Sequence, residues 1–451
     1  MTSNSLSTNS SNSMFAPATH KKVLTIAFPM LISNISGPLL GMVDTAVLGH
    51  LEHAYYLGGA AVGAMLITLL IWISGFLRMS ITGLVAQAFG RGDEKEVQGH
   101  AIRGGILALG LGLAFLVFHP LIRELGLWMA DGSAEVRQQA QIYFDIRIWG
   151  LPFALLNLVL MGWLLGQQKS RAAMILVLVM NGINLVLDLW FVLGLNMGVA
   201  GAAWASVIAE TACCLCGLWL FTSRQLALKL PWKDVDVSRD GFSTLLNLNR
   251  DILIRTLCLE LCFAFVTFYG ARLGDDIVAT NAVLMNFLLF IALGLDAVAF
   301  AAEALIGEAK GAKDARLLNT YVGVTFIWSS ALALVYALIF LLFGRHIIGL
   351  MSDIPRVLEL SQNYLVYIVI LPIAGYGCFL LDGVFIGLTR GKEMRNGMLI
   401  SVFAGFFPIW WLLRDYGNHA LWVALLSLML LRGVTLAVSY FKLHRREKLL
   451  D

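Results

Sequence analysis

The stretch Ala27–Leu51, AFPMLISNISGPLLGMVDTAVLGHL, is mostly apolar and carries a single carboxylate, Asp44. About 20 mostly apolar residues suffice for a helix that crosses a bilayer. This stretch therefore reads as a transmembrane helix with one acid where a Leu or Val is expected. The rest of the chain agrees. Of its 451 residues, 59% are hydrophobic and 14% are charged, with a mean hydropathy of +0.79. Soluble domains average about 45–50% and 25%, so this chain cannot cover its apolar surface in water. It is an all-α polytopic membrane protein.

Working outward, twelve segments can span: 24–49, 57–84, 101–121, 142–166, 172–194, 198–221, 250–272, 277–306, 320–343, 364–388, 396–413 and 419–441. With the N-terminus inside, 22 Lys/Arg fall on the cytoplasmic side and 6 on the other. That bias orients both termini to the cytoplasm. Residues 1–22 are Ser/Asn-rich and lack the basic start and short apolar core of a signal peptide. They read as a disordered tail. The polar, basic connection 223–249 divides an N-terminal lobe (23–222, helices 1–6) from a C-terminal lobe (250–441, helices 7–12), followed by a tail over 442–451.

The two halves look related. AQAFGRGD (86–93) aligns with GEAKGAKD (307–314) at an offset of 221, which also puts Gly49 on Gly270. Leu151-Pro152 aligns with Leu371-Pro372 at 220. Six spans per half make the repeat parallel, an arrangement common in secondary transporters. Gly59 and Gly63 form a small-xxx-small pair that suits close helix packing.

Acids inside spans cost roughly 2.5–3.5 kcal/mol on insertion scales, so they usually mark function. Asp44 stands in helix 1 and Asp188 in helix 5. Asn184 lies four residues before Asp188 and shares its helix face. Ser206 of helix 6 adds a hydroxyl. These four could line an oxygen-rich pocket in the N-terminal lobe. An apolar site favours the protonated form of a carboxyl, and a second acid nearby does so further. The set therefore suits binding and release of a proton, or capture of Na+ by Asp44, Asn184 and Asp188. Helices 1, 5 and 6 hold no Lys, leaving Arg78 in helix 2 and Arg147 at the start of helix 4 as possible mates. The second half adds Glu260, Asp296 and Asp382, which with Arg78 are candidates for a substrate cavity or for structural pairing. Pro29 removes a backbone donor and is expected to bend helix 1.

Much chemistry is missing from the sequence. GLTRGK (387–392) is one residue short of a phosphate-binding loop, and no HExxH, nucleophile elbow or Cys/His spacing occurs. The cysteines Cys213, Cys214 and Cys216 crowd one helix and read as packing residues. No enzyme, cofactor, resident metal or nucleic-acid partner is expected.

Several stretches carry a family resemblance: AFPMLISNISGPLLGMVDTAVLGHL, TGLVAQAFGRGD, LPFALLNLVLMGWLLGQQKSR, FLLDGVFIGLTRGKEMRN and GNHALWVAL. The sequence resembles the multidrug and toxic compound extrusion (MATE) family, in its DinF-like bacterial branch, over nearly all of residues 22–441. The resemblance implies two six-helix lobes around a V-shaped cleft and efflux of organic cations in exchange for H+ or Na+. It places the coupling ion at Asp44, Asn184, Asp188 and Ser206, the last often a threonine in relatives. It matches Pro29 to a helix 1 proline, and Leu40 stands where some relatives have tyrosine. Glu260 and Asp382 resemble the cation-binding acids of the NorM-like branch. The expectation is a monomeric, proton-coupled multidrug antiporter of the bacterial inner membrane that exports drugs and small organic cations. Na+ coupling and a lipid-linked saccharide flippase are the alternatives. A flippase would favour in-membrane Lys/Arg for pyrophosphate, whereas acids outnumber such cations here.

Overall fold

The computed structural model describes residues 14–49, 53–130, 132–228 and 239–450. Among these, twelve helices are long and apolar enough to cross a membrane. They are α1 (Pro17–Gly49), α2 (Ala54–Gly90), α3 (Glu94–Ala130), α4 (Ala134–Gly166), α5 (Ser170–Gly194) and α6 (Gly198–Ala227), followed by α7 (Arg239–Arg272), α8 (Asp275–Gly311), α9 (Ala315–Met351), α10 (Pro355–Gly387), α11 (Gly391–Tyr416) and α12 (Asn418–Arg445).

Most helices overrun the apolar segments read from the sequence. α3 was expected over 101–121 but runs for 37 residues, about 55 Å at 1.5 Å per residue. A hydropathy segment stops where charge begins, whereas a helix stops at its cap. Asp93 Oδ1 accepts from the Glu96 N–H at 3.0 Å, and Asp314 Oδ1 accepts from the Leu317 N–H at 2.9 Å, so α3 and α9 start among charged residues. Of the expected tail over residues 1–22, residues 17–22 are helical. α1 already begins at Pro17, a residue suited to a first helical turn. Residues 1–13, where the rest of that tail was expected to be disordered, lie outside the described residues. So do 229–238 of the expected 223–249 connection, into which α6 and α7 both extend.

The chain forms two compact units. One is Ile32–Leu246; the other joins the residues up to Leu31 to Asn247–Asp451. The change of unit falls inside α1, two residues after Pro29, and again inside α7. The first turns of α1 are fixed within their unit by Lys22, whose Nζ donates to Glu308 Oε2 at 2.8 Å and to Tyr321 Oη at 2.9 Å. Trp328 Nε1 donates to His20 at 3.1 Å beside them.

The internal repeat is written into the backbone of each unit. Left-handed residues recur 221 apart: Gly92 and Lys313, Gln168 and Thr389, Asn196 and Gly417. The turn hydrogen bonds recur with them. Asp93 N donates to Ala88 O at 3.0 Å and Asp314 N to Ala309 O at 3.0 Å. Close helix contacts repeat as well. A Cβ on Gly162 would lie 2.7 Å from Arg78 O of α2, and one on Gly383 would lie 2.5 Å from Ala299 O of α8. Gly59 and Gly63 of α2 meet Ala140 and Tyr143 of α4 in the same manner, the packing role read from their spacing.

Candidate functional site

In the unit of Ile32–Leu246, three helices bring polar groups into one apolar shell. Val47 and Leu48 of α1, Ala60 of α2, Tyr143 of α4, Val192 of α5 and Val199, Ala202 and Ala203 of α6 form a buried cluster, with Val43 packed against it. Asp44 follows Val43 directly and is half-buried. Its carboxyl stands at hydrogen-bonding range of the Asp188 carboxyl. Asp188 is 1% exposed and Asn184, one turn earlier on α5, is 3% exposed. Regular α-helix ends at Asp188, and a π-helical turn over Leu189–Gly194 follows. Such turns disturb the backbone ladder and often accompany functional sites.

Asn184 links the acids to α6. Ser206 offers N–H and hydroxyl donors, whereas a carboxylate only accepts, so the amide oxygen belongs toward Ser206 and the nitrogen toward Asp188. In that orientation the nitrogen donates to Asp188 Oδ2 at 3.2 Å, and the oxygen accepts from Ser206 N and Oγ at 3.1 Å each. Asp44 Oδ1 and Asp188 Oδ1 are both buried with no hydrogen-bond partner. The four residues expected to form one site thus converge, and two carboxyl oxygens are left unsatisfied there.

Arg147 does not pair with these acids. Its Nη1 donates to Glu210 Oε2 at 2.7 Å and its Nη2 to Glu210 Oε1 at 2.8 Å, a two-pronged ion pair that is nearly buried. Glu210 escaped the sequence reading. Its spacing was the available signal: it lies four residues after Ser206 on α6 and so shares that helix face. Arg78 is half-buried on α2, and its backbone oxygen accepts from Thr82 Oγ1 at 2.8 Å.

Of the acids of the other unit, Asp382 is engaged in ion pairs. Asp382 Oδ2 accepts from Arg255 Nη2 at 2.9 Å and from Arg432 Nη2 at 2.7 Å, deep in the unit. This carboxylate is shared by two guanidinium groups, so it is engaged in a buried ion-pair cluster. Arg255 neighbours Glu260 in sequence yet points elsewhere, because five residues along a helix turn the side chain by about 140°. Glu260 is half-buried and makes no ion pair among the described residues. Asp296 lies within electrostatic reach of Arg432. Cys213 and Cys214 are buried and Cys216 is exposed; among the described residues no group of three or more His, Cys, Asp or Glu side chains is placed to hold a metal ion.

Comparison with known proteins gives this arrangement a context. The MatE family profile matches residues 29–190 and 252–411, one match in each half. The chain is 45% identical to DNA damage-inducible protein F of Escherichia coli (strain K12) over 433 residues, covering 94% of this chain and 93% of that protein. It is 24% identical to a probable multidrug resistance protein NorM of Bacillus subtilis (strain 168), covering 94% and 96%. A crystal structure of a Vibrio cholerae MATE transporter superposes with a TM-score of 0.84 at 22% identity, covering 96% and 98%, which speaks for the fold. The resemblance read from the sequence holds: the chain belongs to the MatE family and is a multi-pass membrane transporter, not an enzyme.

Proposed function

We propose that the protein is a secondary active multidrug efflux antiporter that exports organic cations and toxic compounds in exchange for protons by alternating access. The observation that carries this reading is the meeting of Asp44 and Asp188 from two helices, each with a buried oxygen lacking a partner. Two adjacent carboxylates repel, and a proton taken up there removes the repulsion. Uptake from outside pulls α1 and α5 together; release to the cytoplasm lets them part. Pro29, two residues before α1 changes unit, is the hinge of this reading. The protein resides in the bacterial inner membrane as a monomer with both termini cytoplasmic.

The driving force suffices. One charge gains about 2.3 kcal/mol per 100 mV. At about 150 mV this is roughly 3.4 kcal/mol, enough for a gradient of about 300-fold. A one-for-one exchange with a monovalent cation moves no net charge, and the pH gradient then supplies the drive.

Na+ is the second reading, favoured by the unsatisfied hard oxygens of Asp44 and Asp188, with Asn184 and Ser206 beside them. Efflux of a fluorescent cationic dye, measured in everted vesicles with Asp44→Asn and Asp188→Asn in H+-only and Na+-containing buffers, separates the two. Proton coupling predicts efflux without Na+ and its loss in both variants. Abolition of wild-type efflux by Na+ removal refutes proton coupling, and full activity in both variants refutes the site.

A further inference from the structure

Beside the proposed coupling site stands an ion pair that this reading leaves unused. Arg147 and Glu210 sit on α4 and α6, the helices that also carry Tyr143 and Ser206. The Arg147 charge reaches Asp44, Asp188 and Tyr143. An arginine this close to two acids with unsatisfied oxygens would ordinarily bridge them, because an opposite charge is the cheapest partner a buried carboxylate can find. Here both terminal nitrogens are committed to Glu210 instead.

The commitment is built into the fold. Asn157 Nδ2 donates to Glu210 O at 2.9 Å, tying α6 to α4 at the residue itself. Gly150, in the 3-10 turn that interrupts α4, leaves room for both head groups. A Cβ there would lie 2.9 Å from Glu210 Oε2 and 3.2 Å from Arg147 Nη1. Bidentate geometry adds direction to the pairing.

We infer that Arg147 and Glu210 are a positioning pair: Glu210 holds the Arg147 guanidinium off Asp44 and Asp188, which keeps the two acids free for the coupling ion. The inference rests on the coupling-site reading above. As a unit the pair carries no net charge, and with both terminal nitrogens on Glu210 the guanidinium forms no ion pair with either acid. Without Glu210 the guanidinium is released to the acids and competes with the ion. Among the described residues, the groups around the two acids are Tyr143 and Arg147 on α4, Asn184 on α5 and Ser206 on α6, with Glu210 of α6 reaching Tyr143; of these Arg147 and Glu210 carry a charge.

The test is the ion dependence of dye efflux in everted vesicles, with the amount of membrane-inserted protein measured for each variant. Glu210→Gln is expected to raise the ion concentration for half-maximal efflux about tenfold, the size set by one uncompensated charge within about 10 Å at an effective dielectric of about 20. Glu210→Asp restores most of the wild-type value. The double variant Arg147→Gln with Glu210→Gln returns to within about threefold of wild type, because both charges leave together. Gly150→Ala, which alters no charge, shifts the midpoint in the same direction as Glu210→Gln. A Glu210→Gln protein with the wild-type midpoint overturns the inference. If that variant does not insert, a double variant displaced tenfold overturns it instead. Asp188→Asn separates the two readings. Ion dependence that survives Asp188→Asn refutes the coupling site; ion dependence lost there but unmoved by Glu210→Gln refutes only the positioning pair.

Discussion

Asp382 and Asp188 are both buried acids in spans, and replacing each by asparagine should have opposite consequences. Asp382 accepts from Arg255 and Arg432 on one oxygen, at 2.9 and 2.7 Å, and the three side chains are 11%, 8% and 4% exposed. Asp382→Asn keeps the shape and one acceptor but removes the carboxylate that both guanidinium groups share, leaving Asp296 as the acid within electrostatic reach of Arg432. Removing one partner of a buried ion pair costs about 3–5 kcal/mol. Exposure is too low for solvent to screen the remaining charges, so the upper half of that range applies. At about 2–4 °C per kcal/mol for a unit of this size, the C-terminal unit should melt roughly 10 °C lower. The assay is thermal unfolding of detergent-purified protein, with Glu260→Gln as the unpaired control, expected within about 2 °C of wild type. Adding Arg432→Gln to Asp382→Asn should recover part of the loss, since it removes one of the two like charges. By contrast, Asp188→Asn should leave the melting temperature near wild type or raise it, because among the described residues Asp188 forms no ion pair and its Oδ1 has no hydrogen-bond partner. An Asp382→Asn protein that melts with wild type refutes the assignment of Asp382 to a structural cluster and returns it to the candidates for substrate contact.

Three further outcomes follow from the geometry. Gly162→Ala and Gly383→Ala should each destabilise their own unit by about 1–3 kcal/mol, because the new methyl meets backbone oxygen at 2.7 and 2.5 Å; unfolding of the purified variants checks this. Lys313→Gly should stabilise the protein by up to about 1 kcal/mol in the same assay, and Gly92→Ala destabilise it similarly, since both positions are left-handed. Lys22→Ala and Glu308→Ala should be non-additive in a double-mutant cycle, with a coupling of less than about 1 kcal/mol because the pair is 36% and 21% exposed to solvent.

The sequence by itself determined the architecture. Twelve apolar runs require twelve spans, because a bilayer core leaves no other way to satisfy their backbone groups. The repeat was equally legible. GRGD and GAKD mark a turn whose geometry recurs 221 residues later even though Gly92 becomes Lys313. Asn184 and Asp188 were readable as a pair because helix periodicity puts them on one face. Asp44 and Ser206 could be named as misplaced polar residues, but their meeting with that face depends on three helices packing together. The partners of the cations were decided by tertiary structure alone. The sequence left Arg78 and Arg147 as possible mates of the coupling acids, while the folded chain gives Arg147 to Glu210, and Arg255, five residues from Glu260, to Asp382. A one-dimensional reading sees charge and period along each helix. Which faces meet across helices is set by packing, by glycines such as Gly150 and Gly162 that admit a close approach, and by the cost of any buried charge left without a partner.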